Sequence, residues 1–480
     1  MTRALSLRCR SLAGAELEMV MSVGRARVGP TPRPRVLLWM LYAAALAGRF
    51  SFSPLSVAFA GDFRLDLLLL ITPAAFLWIA VAEIRGIRRQ TIAVAHLGPL
   101  LALFGYQASS ALWAPAGARV GARLVDLTTL AWLLLLLAIV VPYAGHRAID
   151  YLHWFMWVAA CVYSLAAFAS GPGAQGRFAA LGGGPNIFVR VMLLGVLAAV
   201  TIYAKSHRSW VVLPIPVFLA GALLSGSRGG LLAGLLAGML VLRARWIRLS
   251  AGRTLRALGV ILAFSLPVYY LVGGLLFNFV QSRFLEETLA GKYTSGRPQL
   301  LQETSSLFWS QPAIGVGLDG YYGKVGSVVG VSYPHNLVAA VAAEGGILGL
   351  LLLGNVFVRW GKTFRRAAPL TLDTRSCIVG AVFVFSASMF SGDYYDARFG
   401  WIFLLLGSVS AAQDFAERAG AADRPPARDG NPQPWAKRPG RSANTRGNTP
   451  GGADLLAYRI LPRSQADISR EAVTSARARP

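Results

Sequence analysis

Residues 294–346 read TSGRPQLLQETSSLFWSQPAIGVGLDGYYGKVGSVVGVSYPHNLVAAVAAEGG. This polar, glycine-rich segment separates two apolar runs, at about 256–278 and 336–358. Each run is as long as a helix must be to cross the hydrocarbon of a bilayer. The segment carries Arg297, the turn from Pro312 to Gly317, and Pro334, His335 and Asn336. Working outward from it, the same alternation of apolar run and short polar loop fills most of the chain, which predicts an all-α polytopic membrane protein. Residues 279–335 are then its one large extramembrane loop.

Composition agrees. Of 480 residues 55% are hydrophobic and 14% charged, and the mean hydropathy is +0.52. That leaves too little polar surface for one soluble globule. Twelve spans are expected, at about 36–57, 65–83, 91–113, 124–142, 150–170, 187–204, 209–224, 229–243, 256–278, 336–358, 377–392 and 399–413. Cytoplasmic loops hold the excess of Lys and Arg. With the N-terminus inside, the tail to residue 35, alternate loops and the tail beyond 413 hold 35 of the 47 basic residues. Both termini are therefore expected in the cytoplasm, and loop 279–335 on the periplasmic side. The net charge of +25 is then a matter of topology, and nucleic acid is not expected as a partner.

Residues 1–35 read as a basic cytoplasmic tail and residues 36–413 as the membrane domain. Residues 414–480, rich in Arg, Pro, Gly and Asn, read as a disordered cytoplasmic tail, since such a composition cannot bury enough apolar surface to offset ordering. Cys9, Cys161 and Cys377 show neither CxxC spacing nor a disulfide pattern. No Walker A, HExxH or GxSxG motif occurs, and neither a metal site nor a cofactor is expected.

The basic residues left over are more informative, because topology does not explain them. Five arginines fall in outer contexts containing Gly or Pro or flanked by carboxylates: GRFAALGGGPNIFVR (Arg177, Arg190, with Asn186 between), SGSRGG (Arg228), SGRPQ (Arg297) and DYYDARFGW (Arg398). The glycines around Arg228 admit either a tight turn or close approach of backbone to a ligand. Arg190 lies about one turn inside an apolar run, where a charge costs up to about 3 kcal/mol unless paired or snorkelling. In DYYD, Asp393 and Asp396 either form a metal or acid–base pair or neutralise Arg398 and Arg228, the second being preferred among so many arginines.

Within the loop, FVQSRFLEETL and RPQLLQETSSLFWS have amphipathic helical patterns, the second placing Leu300, Leu301, Leu307, Phe308 and Trp309 on one stripe. His335 precedes the next apolar run. It is either an interfacial, hydrogen-bonded residue or a general base, since imidazole accepts a proton near neutral pH. Asn336 either orients a sugar hydroxyl or caps the helix. Glu344, beside Gly345 and Gly346, either seals a helix break as a buried carboxyl or forms part of a polar cavity.

Taken in order, SGSRGG, SGRPQLLQETSSLFWSQPAIGVGLDGYYG and PHNLVAAVAAEGGILGL resemble the O-antigen ligase and polymerase group of bacterial membrane glycosyltransferases. The resemblance covers about residues 170–400. It implies a metal-independent, inverting transfer of a glycan from polyprenyl (undecaprenyl) diphosphate to the sugar hydroxyl of a lipid or glycan acceptor, at the periplasmic face of the inner membrane. On that resemblance His335 activates the acceptor, and Arg228 and Arg297 hold the diphosphate with Arg190 as a third ligand. Arg177, Asn186, Asn336, Glu344, Asp393 and Arg398 are supporting residues. Its single dominant outer loop favours a ligase over a repeat-unit polymerase. The reading from a different class is a transporter or lipid flippase, for which twelve spans with both tails inside is also a common plan.

Overall fold

The computed structural model describes residues 34–47, 67–84, 96–173, 176–181, 183–243, 250–289, 296–331 and 333–422. The expected tail before Arg35 and the basic loops at 85–89 and 245–248 lie outside these residues or nearly so. So does most of the expected tail beyond 413.

Among the described residues the protein is all helix, with no β-strand. Helices α1 (Arg35–Ala47), α2 (Leu67–Ile84), α3 (Gly98–Ser109), α4 (Val120–Ala144), α5 (Arg147–Ser170), α6 (Pro185–Ser206), α7 (Ile215–Leu224), α8 (Arg228–Arg243) and α9 (Ala251–Val280) precede the loop. Helix α10 (Arg297–Ser310) lies in it, and α11 (Leu337–Arg366), α12 (Leu372–Ser388) and α13 (Arg398–Ala422) follow. Each of the twelve expected segments holds one helix, but among the described residues six helices are long and apolar enough to cross a membrane. The others are shorter apolar helices, so the polytopic class stands while the count of twelve is not reached by length alone. The last helix continues to Ala422, into what the composition alone assigned to the tail.

Local sequence explains the ends. Proline stands in the first turn of α6, α7 and α10, where its missing N–H costs nothing. The side chains of Asn336 and Thr371 accept from backbone N–H groups in the first turns of α11 and α12. Packing then sorts the helices. Only 6% of the apolar window of α9 is buried in the protein, against 83% for α13, so α9 lies at the rim and α13 at the centre. Around the buried Trp401 of α13, the rings of Phe104, Phe357, Trp360 and Phe385 converge with centroids 4.5–6.2 Å away, and the indole N–H donates to Tyr394 O at 3.0 Å. This aromatic core fixes the loop 389–397 at one end of the bundle.

Small residues bring helices close where lipid supplies no hydrophobic drive. A Cβ at Gly230 would collide with Val189 of α6, and one at Gly229 with Phe390. The glycines of SGSRGG thus serve α8 packing on α6 and on the end of α12.

Candidate functional site

Helix α11 is interrupted at Gly346, whose φ of 63° and ψ of −159° are non-helical. Into that break the turn 312–317 inserts its backbone. Val316 N donates to Ala343 O at 2.9 Å and Gly317 N to Glu344 O at 3.1 Å. In return Ile347 N donates to Pro312 O at 2.7 Å and Leu348 N to Ala313 O at 3.2 Å. Tyr106 Oη adds bonds to Ile314 O and Gly345 O, both at 2.9 Å. Gly315 and Gly346 have positive φ, and a Cβ on either would strike the opposing backbone, so glycine is required at both. The break is therefore a filled joint, and it positions the N-terminal half of α11 with His335 before it.

The covering helix α10 rests on the joint through Leu300, Thr304 and Leu307, which pack near Val316, Tyr321 and Ala343. The expected stripe is only partly realised. Leu301 and Trp309 are exposed, at 44% and 71%, because the buried face follows the spacing 300, 304, 307.

Two clusters of charge lie at this end. In the first, the turn from Ser225 to Ser227 leads into Arg228, which opens α8 and is half-buried. Arg177 Nε donates to Ser225 O at 2.8 Å. Gly226, at φ 62°, lies between the guanidinium groups of Arg177 and Arg283, 3.4 and 3.5 Å from where its Cβ would be. In the second, Arg123 of α4 donates to Asp319 Oδ1 and to Asp393 Oδ2, each at 2.8 Å, and to Asp126 at 3.4 Å. Asp319, 1% exposed, also accepts from Arg119 N and Nε at 3.0 and 3.1 Å, and its own N–H serves the Glu344 carboxyl. Arg123, Asp126, Tyr333, Glu344, Asp393 and Tyr394 line a cavity of about 410 Å³, open mouth included. Among the described residues no three His, Cys, Asp or Glu side chains converge as metal ligands.

Between the clusters runs the loop 389–397. Asp393, expected to neutralise Arg398 and Arg228, pairs with Arg123 and accepts from the N–H groups of Tyr395 and Asp396 at 3.0 and 2.9 Å. This pair joins residues 270 apart in sequence, while Asp396 stays near the local arginine, Arg398. Arg398 instead bonds to carbonyls of Ala45, Leu46 and Tyr395, holding the last turn of α1 as cations hold helix C-termini, with Asp396 at 3.9 Å. Arg190, buried in α6, donates to Asp396 O at 2.9 Å and to Ser391 O. Its guanidinium thus clamps the loop from the inside. Asn186 donates to Ser391 Oγ at 2.8 Å and accepts from Ser227 Oγ at 2.8 Å, joining loop and arginine turn.

His335 lies between these parts in the left-handed region, at φ 56°, an uncommon conformation for a side-chain-bearing residue. Its ring is 4.5 Å from that of Tyr333, and its Nδ1 is buried without a hydrogen bond. Burial first, and the Arg297 charge second, lower its pKa below the usual 6.5, while Asp396 acts weakly the other way. Imidazole is therefore neutral at pH 7. Burial and Asp396 push the Tyr333 hydroxyl up to about 12. Asn336 is a helix cap: its Oδ1 accepts from Ala339 N at 3.0 Å. Glu344 is both buried at the joint and in the cavity wall.

The structure thus gathers Arg177, Asn186, Arg190, Arg228, Arg297, His335, Glu344, Asp393 and Arg398 at one end of the helices, with Asn336 in a capping role. Sequence reasoning missed Arg123, Asp319, Tyr333 and Ser391. The available signal was the pair Arg119 and Arg123, basic residues among those that the expected topology leaves unexplained.

No curated protein matches the chain. Residues 215–354 match the model of a family described as O-antigen ligase. That stretch runs from α7 to the middle of α11 and contains Arg228, Arg283, Arg297, the filled joint and His335. Over these residues the chain is similar to the O-antigen ligase family.

Proposed function

We propose that the protein transfers a glycan from a polyprenyl diphosphate carrier to an acceptor sugar hydroxyl at the periplasmic face of the inner membrane. One observation carries this reading: the family-matched stretch sets a neutral, half-buried imidazole, His335, beside the Arg297 charge. The acceptor O–H gives its proton to His335 as its oxygen bonds to the anomeric carbon. The bond from that carbon to the diphosphate oxygen breaks on the opposite face, so configuration inverts. With Nδ1 buried, Nε2 is the nitrogen assigned to the proton. The leaving diphosphate gains negative charge, which Arg228 and Arg297 stabilise through bidentate, charge-assisted bonds of about 1.5–3 kcal/mol each. Arg190 contributes by holding the loop at Ser391 and Asp396.

The assignment as ligase or polymerase rests on the acceptor, and the test is what accumulates in cells lacking the protein. A ligase predicts long lipid-linked polymer that reaches no acceptor. Single lipid-linked repeat units would instead assign a polymerase, and unchanged glycan with unchanged lipid-linked pools would remove the enzyme reading in favour of transport.

A further inference from the structure

His335 adopts a left-handed backbone on a loop, in contact with one ring and with no hydrogen bond at its buried nitrogen. Such a conformation persists only where the surroundings over-determine it. The surroundings here trace to a single continuous run. The Tyr333 ring lies 4.5 Å from the imidazole at an interplanar angle of 58°. The Tyr333 hydroxyl lies within reach of the Ser391 side chain. Ser391, 7% exposed, accepts from Asn186 Nδ2, and Asn186 Oδ1 accepts from Ser227 Oγ, which is 6% exposed. Ser227 is the residue before Arg228. The run therefore begins on the candidate base and ends on the turn that carries the candidate phosphate ligand, joining four segments distant in sequence.

We propose that Tyr333 is a positioning residue for His335, and that Tyr333, Ser391, Asn186 and Ser227 form a strut setting the imidazole at a fixed separation from the Arg228 turn. The inference rests on the reading of His335 as the base. It adds a physical reason for that geometry: acceptor and leaving group must be held on opposite sides of one carbon, and a misplacement of about 1 Å costs on the order of 100-fold in rate. A hydroxyl chain rather than packing alone meets this need, since hydrogen bonds fix distance and direction together. The charged groups facing His335 are Arg297 of α10 and Asp396 of the loop, and neither belongs to the strut.

The experiment uses the full chain in nanodiscs and reads modification of His335 by diethyl pyrocarbonate across pH, quantified by mass spectrometry, alongside glycan transfer in cells. Tyr333→Phe keeps the ring and cuts the strut at one end. Ser391→Ala cuts it without touching the ring. Both variants are expected to raise the modification rate of His335 and move its midpoint up toward 6.5, as the imidazole gains water. Both are expected to lower transfer by about 10- to 100-fold, with the loss in kcat rather than in KM for the donor. A rate and midpoint unchanged in both variants would overturn the strut while leaving the reading of His335 standing. A shifted midpoint with normal transfer, in these variants and in His335→Gln alike, would overturn that reading and the positioning role with it.

Discussion

Around the 225–227 turn, guanidinium groups collect about a short piece of backbone: Arg177 bonds to a turn carbonyl, and Arg283 lies across Gly226 from it. On the far side of the loop 389–397 the arrangement is reversed, with Asp126, Asp319 and Asp393 collected about the single guanidinium of Arg123. Both clusters sit at the same end of the helices, yet their physics differs. Cations gathered on a turn create a field that a mobile anion can complete. Carboxylates gathered on an arginine make a closed network that ties α4 to two loops, and a partly buried network of this kind chiefly fixes geometry. One cluster is suited to recognition and the other to scaffolding, with His335 between them.

The largest effect that could break this division is on His335 itself. His335→Ala is expected to lower glycan transfer by about 10²- to 10⁴-fold, the usual worth of a general base, with membrane insertion intact and lipid-linked donor unchanged or raised. Normal output would leave the two clusters with no reaction between them. Next comes the scaffold side. Arg123→Ala leaves the nearly inaccessible Asp319 with one fewer cation and is expected to cost about 3–5 kcal/mol of stability, read as a lowered unfolding midpoint in detergent. An unaltered midpoint would show that the carboxylate network does not hold the loops.

On the recognition side, Arg228→Lys keeps the charge and loses the planar fork. It is expected to reduce transfer by about 10- to 100-fold, equivalent to about 1.5–3 kcal/mol, with the unfolding midpoint unchanged. A variant that loses stability but not rate would move Arg228 to the scaffold. The smallest effect is on pH. Because the pKa of His335 is held below 6.5, transfer should fall only as pH drops through that lowered value and be flat above it. Arg297→Gln removes one of the two causes of the lowering, so the acid limb should move upward. A limb that stays in place would separate Arg297 from the base.

Much of this was legible in the sequence, and the exceptions share a cause. Apolar periodicity locates the helices because burial in lipid is a local property of composition, and the same reasoning flags Gly345 and Gly346 as a break in α11. The partner that fills the break is not legible, because the backbone of 312–317 carries no side-chain signature for the peptide groups it meets. The pairing of Asp393 with Arg123 was not legible for the same reason, the two being 270 residues apart in sequence. Tyr333 was passed over beside a more conspicuous histidine, since nothing in SYPHN indicates that the tyrosine hydroxyl finds Ser391.

The filled joint in α11 has a consequence for how this protein can change over time. Four peptide groups flanking the break, those of Ala343, Glu344, Ile347 and Leu348, are satisfied by matching groups of the 312–317 turn, where a group left unpaired away from water would cost several kcal/mol. The match is one of register, atom against atom along two backbones. Besides its glycines and the buried Val316, what that turn must keep is its length. A single inserted residue would shift Val316 and Gly317 off Ala343 and Glu344 and leave four bonds to be remade at once. The turn Pro312 to Gly317 is thus the part of the loop least open to insertion or deletion.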